Sequence, residues 1–234
     1  MRSAYMFLAL QGMLSCQEPG CPPTESPVVH SHVFDTTLVN QGLAIQMQVR
    51  DINDSLLLLS ARHGDRTALA DTIDSRGLLY IEYPDFDSDG NADILIDYIG
   101  NNSTYFLYLY DPASVRFRSI EGYVRFPDAV QLQAAPECYY SYHRAGCADM
   151  DWVSDLFKIV DFKIIHLGHI YGKGCSFDDE TSSPVIEISK VESHNGDRIS
   201  VLLEELPYRQ YIPEHGDKWD FIRDYWNKNY SGFE

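Results

Sequence analysis

The chain has 234 residues, 44% of them hydrophobic, and a formal net charge of −17. This length is enough to bury the core of one domain. The negative charge excludes nucleic acid as a partner, because phosphate binding requires clustered lysines and arginines, and it favours a basic protein or a bound cation. The 16 tyrosines and 11 phenylalanines, with no sustained helical period before the C-terminus, predict an all-β fold.

The N-terminus predicts export from the cell. Residues 1–15 carry one charge, Arg2, and an apolar run from Ala4 to Leu10 that is too short to span a bilayer, so they are interpreted as a signal peptide. Ser15 followed by Cys16 resembles a bacterial lipobox, which predicts acylation of Cys16 and a periplasmic or outer-membrane lipoprotein. Ordinary cleavage at a nearby small residue is the alternative. Residues 16–32 are rich in proline and predict a tether before a single β-rich domain at 33–234.

The cysteines other than Cys16 form an even set. In an oxidising compartment they permit two disulfides with three possible connectivities, which the sequence leaves open, and a cross-link within a hairpin is one possibility for Cys138 and Cys147. No Cys-x-x-Cys pair is present, so a tetrahedral zinc site is the weaker interpretation of these residues. The candidates for disulfides are Cys21, Cys138, Cys147 and Cys175.

Short apolar or alternating runs separated by turn signals follow one another from about residue 33. Spacing of this kind, with a turn every ~8–12 residues, is typical of an antiparallel meander in a sandwich, barrel or propeller-like fold. The pattern does not choose among these three architectures. Residues 185–192 and 198–205 flank Asn195-Gly196, which predicts a hairpin. The earlier runs are 43–49, 55–60, 77–83, 92–99, 104–110 and 117–124.

The C-terminus has a different period. Trp219, Ile222, Tyr225 and Trp226 recur at i, i+3, i+6 and i+7, which predicts a helix at about 217–229. We expect this helix to pack on a sheet with both tryptophans buried, because two exposed indoles would be costly.

One short segment carries the pattern of a calcium loop. Residues 85–93 read Asp-x-Asp-x-Asp-Gly-x-x-Asp, and calcium takes six to eight oxygen ligands of the kind that these side chains supply. The flanking runs are strand-like, and Ile96 stands at the twelfth position, where an EF-hand requires glutamate. The segment therefore predicts a structural calcium site at the end of a β-hairpin. The predicted ligands are Asp85, Asp87, Asp89, the main-chain carbonyl of Asn91, and Asp93.

The same segment carries a family resemblance. Residues 85–94, the turn Gly100-Asn101, the aromatic run 104–109 and Leu109-Tyr110-Asp111-Pro112 resemble the calcium repeats of FG-GAP/VCBS-type β-propellers. More closely, they are similar to a family of bacterial periplasmic lipoproteins with one such repeat. The resemblance spans residues 77–120 and implies a compact β-propeller-like fold and structural calcium. It also implies that the protein binds and inhibits peptidoglycan hydrolases, as a lysozyme inhibitor or immunity protein.

Three functional classes follow. The first is an inhibitor of a basic cell-wall hydrolase, with an aromatic segment as its candidate partner-binding surface. The second is a carbohydrate-binding lipoprotein that uses the same aromatic residues. An enzyme is not expected, because motifs of serine hydrolases and zinc peptidases are absent and the pair His166 and His169 has no further ligand nearby in sequence. The candidate partner-binding residues are Tyr139, Tyr140, Tyr142, Arg144 and Trp152.

Overall fold

A computed structural model describes residues 34–100, 102–175, 183–194 and 197–234. The predicted signal peptide and tether, with Cys16 and Cys21, lie outside these ranges. The described residues form antiparallel sheets followed by two short helices, so the predicted all-β class with a C-terminal helix is confirmed. These residues lie in one compact unit. None of the helices in the described part of the chain is long and apolar enough to cross a membrane.

The first sheet is a four-stranded meander. Its edge strands β1 and β4 lie outside the predicted runs, because the polar side chains on these exposed edges hide the alternation that marks the inner strands. The second sheet is also a four-stranded meander. The strands of the first sheet are β1 (Phe34–Asn40), β2 (Leu43–Asn53), β3 (Leu56–His63) and β4 (Arg66–Asp74), and those of the second are β5 (Leu78–Glu82), β6 (Ile94–Tyr98), β7 (Thr104–Asp111) and β8 (Arg116–Ser119).

The third sheet has seven strands in the spatial order β15, β14, β13, β12, β10 and β9, with β11 paired to β12. The predicted hairpin is confirmed by the pairing of β14 with β15, although its Asn195-Gly196 turn lies outside the described residues. The strands are β9 (Val130–Gln131), β10 (Cys138–Tyr140), β11 (His143–Gly146), β12 (Asp151–Val160), β13 (Lys163–Lys173), β14 (Val185–His194) and β15 (Asp197–Pro207).

The three sheets pack face to face in chain order. Strand β7 shows how: Tyr108 and Tyr110 face the core shared with the first sheet, whereas Leu107 and Leu109 face the core shared with the third. Period-two alternation normally separates a buried face from a solvated one. Here both faces of β7 are covered, so the second sheet is the central layer of the stack.

Two helices, α1 (Tyr208–His215) and α2 (Lys218–Asn229), cover the outer face of the third sheet. The predicted bounds of α2 are confirmed. Trp226 is fully buried, and its Nε1 donates to Ser154 Oγ at 2.9 Å. The prediction that Trp219 is also buried is wrong, since it is 48% exposed. Trp219 lies in the first turn of α2, where Tyr142 covers only one side of the indole, with ring centroids 3.8 Å apart.

The structure joins Cys147 to Cys175 and leaves Cys138 without a cysteine partner among the described residues. The pairing of Cys138 with Cys147, which the sequence left as one possibility, is therefore wrong. Cys138 lies on β10 and faces the core under the helices, whereas Cys147 lies in the turn after β11. Burial raises the pKa of the Cys138 thiol to about 11, which makes it a structural rather than a reactive cysteine.

Candidate calcium loop and the adjoining cavity

Residues 83–93 connect the paired antiparallel strands β5 and β6. The predicted position of the acidic segment at the end of a hairpin is thus confirmed. The loop closes where the backbone N–H of Asp93 donates to the carbonyl of Pro84 at 2.7 Å. Gly90 adopts a φ of +86°, a backbone conformation that glycine enters without a steric penalty.

Three carboxylates of the loop converge. One oxygen from each of Asp85, Asp87 and Asp89 lies within 4.8 Å of the others. Backbone N–H groups orient them: that of Gly90 donates to Asp85 Oδ2 at 3.1 Å, and that of Asn91 donates to Asp89 Oδ1 at 2.8 Å. Burial raises the pKa of Asp87, and the charge of Asp89 adds to the effect. The loop therefore concentrates negative charge that its own N–H groups only partly compensate.

The side chains of Asp93 and Asn91 make hydrogen bonds within the loop. Asp93 is only 1% exposed and accepts the backbone N–H of Phe86 at 2.9 Å and that of Tyr110 at 2.8 Å, one on each carboxylate oxygen. Burial raises the pKa of Asp93 to about 7, although these two hydrogen bonds oppose the shift. The Asn91 amide donates to both oxygens of Asp89 at 3.0 Å. Asp93 thus supports the loop from behind and lies outside the convergent group of three. The Asn91 side chain supports Asp89, and ligation by the main-chain carbonyl of Asn91 stays a prediction.

The residues of this loop fit a hard divalent cation. Calcium binds carboxylate oxygens, and the three convergent carboxylates supply them without any competing lysine or arginine in the loop. Such an ion supplies the positive charge that offsets repulsion among these groups. Asn40 also holds the loop, because its side chain accepts the N–H of Ala92 at 2.8 Å and donates to the carbonyl of Ala92 at 2.9 Å.

A cavity of about 290 Å³ adjoins the loop. Phe86, a residue of the loop, forms part of its wall and stacks on Tyr139 with ring centroids 4.9 Å apart. The hydroxyl of Tyr105 donates to Asp128 Oδ1 at 2.9 Å, which holds one carboxylate at the cavity. The lining combines aromatic rings and carboxylates and contains no lysine or arginine. Its residues include Tyr80, Glu82, Phe86, Tyr105, Tyr123 and Asp128.

Most of the predicted partner-binding residues lie in the core. Tyr139, Tyr142 and Trp152 are buried, so their assignment to a binding surface is wrong. Tyr140 is half-buried, and only Arg144 is exposed. The physical reason is that β10 and β12 are inner strands of the third sheet, with other layers on both faces. Clustered aromatic residues are typical of both cores and interfaces, and only the covering layers distinguish the two.

The sequence does not predict the cavity because its residues come from four separate segments of the chain. Tyr80 and Glu82 lie on β5, Phe86 lies in the acidic loop, Tyr105 lies on β7, and Asp128 lies in the segment before β9. No spacing in the sequence connects these positions. Phe86 was the only signal available, since it interrupts the acidic loop with a large apolar side chain.

No protein-family model matches the chain, and no curated protein matches its sequence. Among solved structures, the chain is similar to a Xanthomonas protein described as related to a type IV secretion system. The two are 14% identical, the TM-score is 0.42, and the match covers 71% of this chain and 92% of the other. A likeness at this level supports no inference about the function of the present chain.

Proposed function

We propose that this protein is an exported, calcium-stabilised β-domain lipoprotein of the periplasm or outer membrane. Its function is to bind and inhibit a peptidoglycan hydrolase, and it acts by binding rather than by catalysis. The observation that carries this proposal is the acidic aromatic cavity beside the loop at 83–93.

The cavity has the chemistry of a receptor for a basic side chain. Tyrosine and phenylalanine rings attract an ammonium or guanidinium group through their faces, and Glu82 and Asp128 supply the opposite charge. Hydrolases that bind the anionic cell-wall polymer are commonly basic. The net charge of −17 would attract such an enzyme over a long range and raise its association rate at low salt.

The loop and the cavity are coupled through Phe86. Its backbone N–H donates to the buried Asp93, and its ring stands at the cavity, against Tyr139 and edge-on to Tyr123 at 5.6 Å. Phe86 also lies between Asp85 and Asp87, so the conformation of the acidic loop determines the position of one cavity wall. Inhibition should therefore depend on calcium.

The test is an inhibition assay with the purified full-length chain against a panel of basic lysozyme-like hydrolases, with calcium or with chelator. We expect at least one enzyme to be inhibited, and Glu82→Gln and Asp128→Asn each to weaken inhibition about 10-fold, which corresponds to the loss of one charged contact. Glu205→Gln is the matched control, because it removes the same charge from an exposed position on β15. Absence of inhibition across the panel, or equal inhibition by all variants, contradicts the proposal.

A second candidate function is carbohydrate binding without enzymatic activity. The observation in its favour is the exposed indole of Trp219, which lies over Tyr142 and presents a flat aromatic surface to solvent. A glycan array with the wild-type chain and with Trp219→Ala tests it. Saccharide binding that depends on Trp219, together with no hydrolase inhibition, would favour this second function over the first.

A further inference from the structure

A second group of potential ligands lies on the third sheet, far along the chain from the acidic loop. Two imidazoles meet one carboxylate oxygen there: His166 Nε2 lies 2.9 Å and His169 Nδ1 lies 2.7 Å from Asp155 Oδ1. The three potential ligand atoms are within 4.8 Å of one another. In the sequence, the pair His166 and His169 has no third ligand nearby. The structure supplies that ligand from the neighbouring strand.

A bulge on β13 puts the two histidines on the same face of the sheet. Residues three apart on a regular strand point to opposite faces. Here His169 is opposite Asp155 and His166 is opposite Phe157, so that Leu167 is an extra residue with no partner on β12. Because Leu167 is unpaired, His166 and His169 are opposite residues of β12 that are only two positions apart. Both imidazoles therefore lie on the same face of the sheet as Asp155.

Only the two imidazoles are positioned to balance the negative charge of Asp155 among the described residues. Its side chain is 8% exposed, and its ion-pair partners within the described ranges are His166 and His169, with no lysine or arginine among them. The side chain of His169 is 31% exposed and that of His166 is 16% exposed. The group is therefore buried on the carboxylate side and open to solvent on the imidazole side, which gives an ion a path of entry.

A third imidazole lies nearby. His143 on β11 is opposite Val153, two residues before Asp155, and so lies on the same face of the sheet. The Nδ1 atom of His143 is buried without a hydrogen-bond partner. His143 lies outside the convergent group of three ligand atoms, so it borders the site without belonging to it.

We propose that Asp155, His166 and His169 bind a divalent transition-metal ion of the zinc class. Imidazole nitrogen and carboxylate oxygen are the ligands that zinc takes in sites with an open position. Tetrahedral zinc with bonds of about 2.0–2.2 Å separates its ligand atoms by roughly 3.3 Å. The observed separations are a few tenths of an ångström shorter, and the partly exposed His169 can move outward by that amount.

The site differs in chemistry from the acidic loop, so the two can be tested separately. The full-length chain is treated with chelator, supplied with excess calcium, and titrated with zinc in a calorimeter. We expect one zinc ion per chain to depend on the histidines, with the zinc affinity of His166→Gln and of His169→Gln lower by more than about 100-fold. We expect more than 100-fold because the loss of a residue that only hydrogen-bonds a metal ligand already lowers metal affinity 10–100-fold.

His63→Gln is the matched control, because it removes a histidine from the first sheet, where Nδ1 lies 3.0 Å from the carbonyl of Ala44. Its zinc affinity should match that of the wild type within about 2-fold. Circular dichroism establishes that each variant is folded, and Asp155→Asn is a third variant that removes the carboxylate charge without changing side-chain size. Absence of zinc binding by the wild type, or its retention by all three variants of the site, overturns the proposal.

Cobalt provides a spectroscopic readout that separates this site from a thiolate site. Glu137, Cys138 and Glu234 form another group that could hold a metal ion. Cobalt bound to nitrogen and oxygen alone shows visible ligand-field bands without a sulfur-to-cobalt charge-transfer band. We expect that spectrum in the wild type and its loss in His169→Gln. A charge-transfer band that persists in His169→Gln assigns the ion to Cys138 and contradicts the proposal.

Discussion

The loop at 83–93 and the strand pair β12–β13 both gather groups that can bind a metal ion, but they do so by different means. In the loop, Asp85, Asp87 and Asp89 are separated by single residues, and one tight turn brings their carboxylates together. On the strand pair, Asp155 meets His166 and His169 across a ladder of hydrogen bonds and beside a bulge. The first arrangement is local, whereas the second depends on strand register.

The two regions also differ in how their charge is balanced. The loop holds three carboxylates with like charge, so its stability should depend on a cation. At Asp155 the histidines already donate hydrogen bonds to the carboxylate and lower its pKa, although burial alone would raise it. The strand cluster should thus remain folded without a metal ion. Removal of metal is expected to destabilise the loop and to leave the third sheet intact.

The largest expected effect on stability comes from removing the buried side chain that packs α2 against the third sheet. Trp226→Ala should lower the free energy of unfolding by about 3–5 kcal/mol, because it empties a fully buried site beside Ser154. Urea denaturation measures the change. Trp219→Ala is the matched control from the same helix, and it should cost less than about 1 kcal/mol because that indole is half exposed. Equal losses would contradict the assigned orientation of the helix.

The next effect tests the disulfide at the end of β13. Cys147 and Cys175 are 28 residues apart in sequence, and replacing both by alanine should lower the free energy of unfolding by about 3–4 kcal/mol through loop-closure entropy. Urea denaturation under oxidising conditions measures it. Cys138→Ala removes a buried thiol without removing a cross-link and should cost only about 1 kcal/mol. A similar loss in both variants would mean that the cross-link does not form.

Calcium should act on the loop alone. At a calcium concentration of 100 times Kd, we expect the wild type to gain about 2.7 kcal/mol over the chelated protein. Asp87→Ala should abolish that gain, and in chelator it should be slightly more stable than the wild type because a repelling charge is gone. Thermal melts measure both effects, with Asp51→Ala on β2 as the control. A wild-type midpoint that calcium does not change would exclude a structural ion.

The smallest expected effect distinguishes the strand cluster from the loop. Asp155→Asn should lower the free energy of unfolding by about 1.5–2.5 kcal/mol, because it weakens two hydrogen bonds to a charged and buried carboxylate. The loss should be the same in calcium and in chelator, as measured by urea denaturation. A loss that appears only in calcium would mean that the two regions are coupled.

Several elements could be predicted from the sequence because short-range contacts determine them. The acidic loop requires only alternate carboxylates and Gly90 at a turn, and the helix α2 requires only an apolar stripe at helical spacing. The β14–β15 hairpin follows from a turn between alternating runs. In each case the signal lies in one continuous segment of the chain, and the pairing of β14 with β15 extends from their turn as far as Val185 opposite Pro207.

The remaining features were decided by the tertiary structure. Tyr139 and Trp152 have the composition of a binding surface, but the neighbouring layers bury them, and the cavity at Glu82 and Asp128 exists only where separate segments meet. His166 and His169 share a face only because Leu167 bulges out of register. The sequence by itself determined the strands with clear alternation or apolar runs, such as β2, β3 and β7, together with the acidic loop and the last helix. Burial and the joining of distant side chains depend on how the sheets stack, which local spacing does not encode.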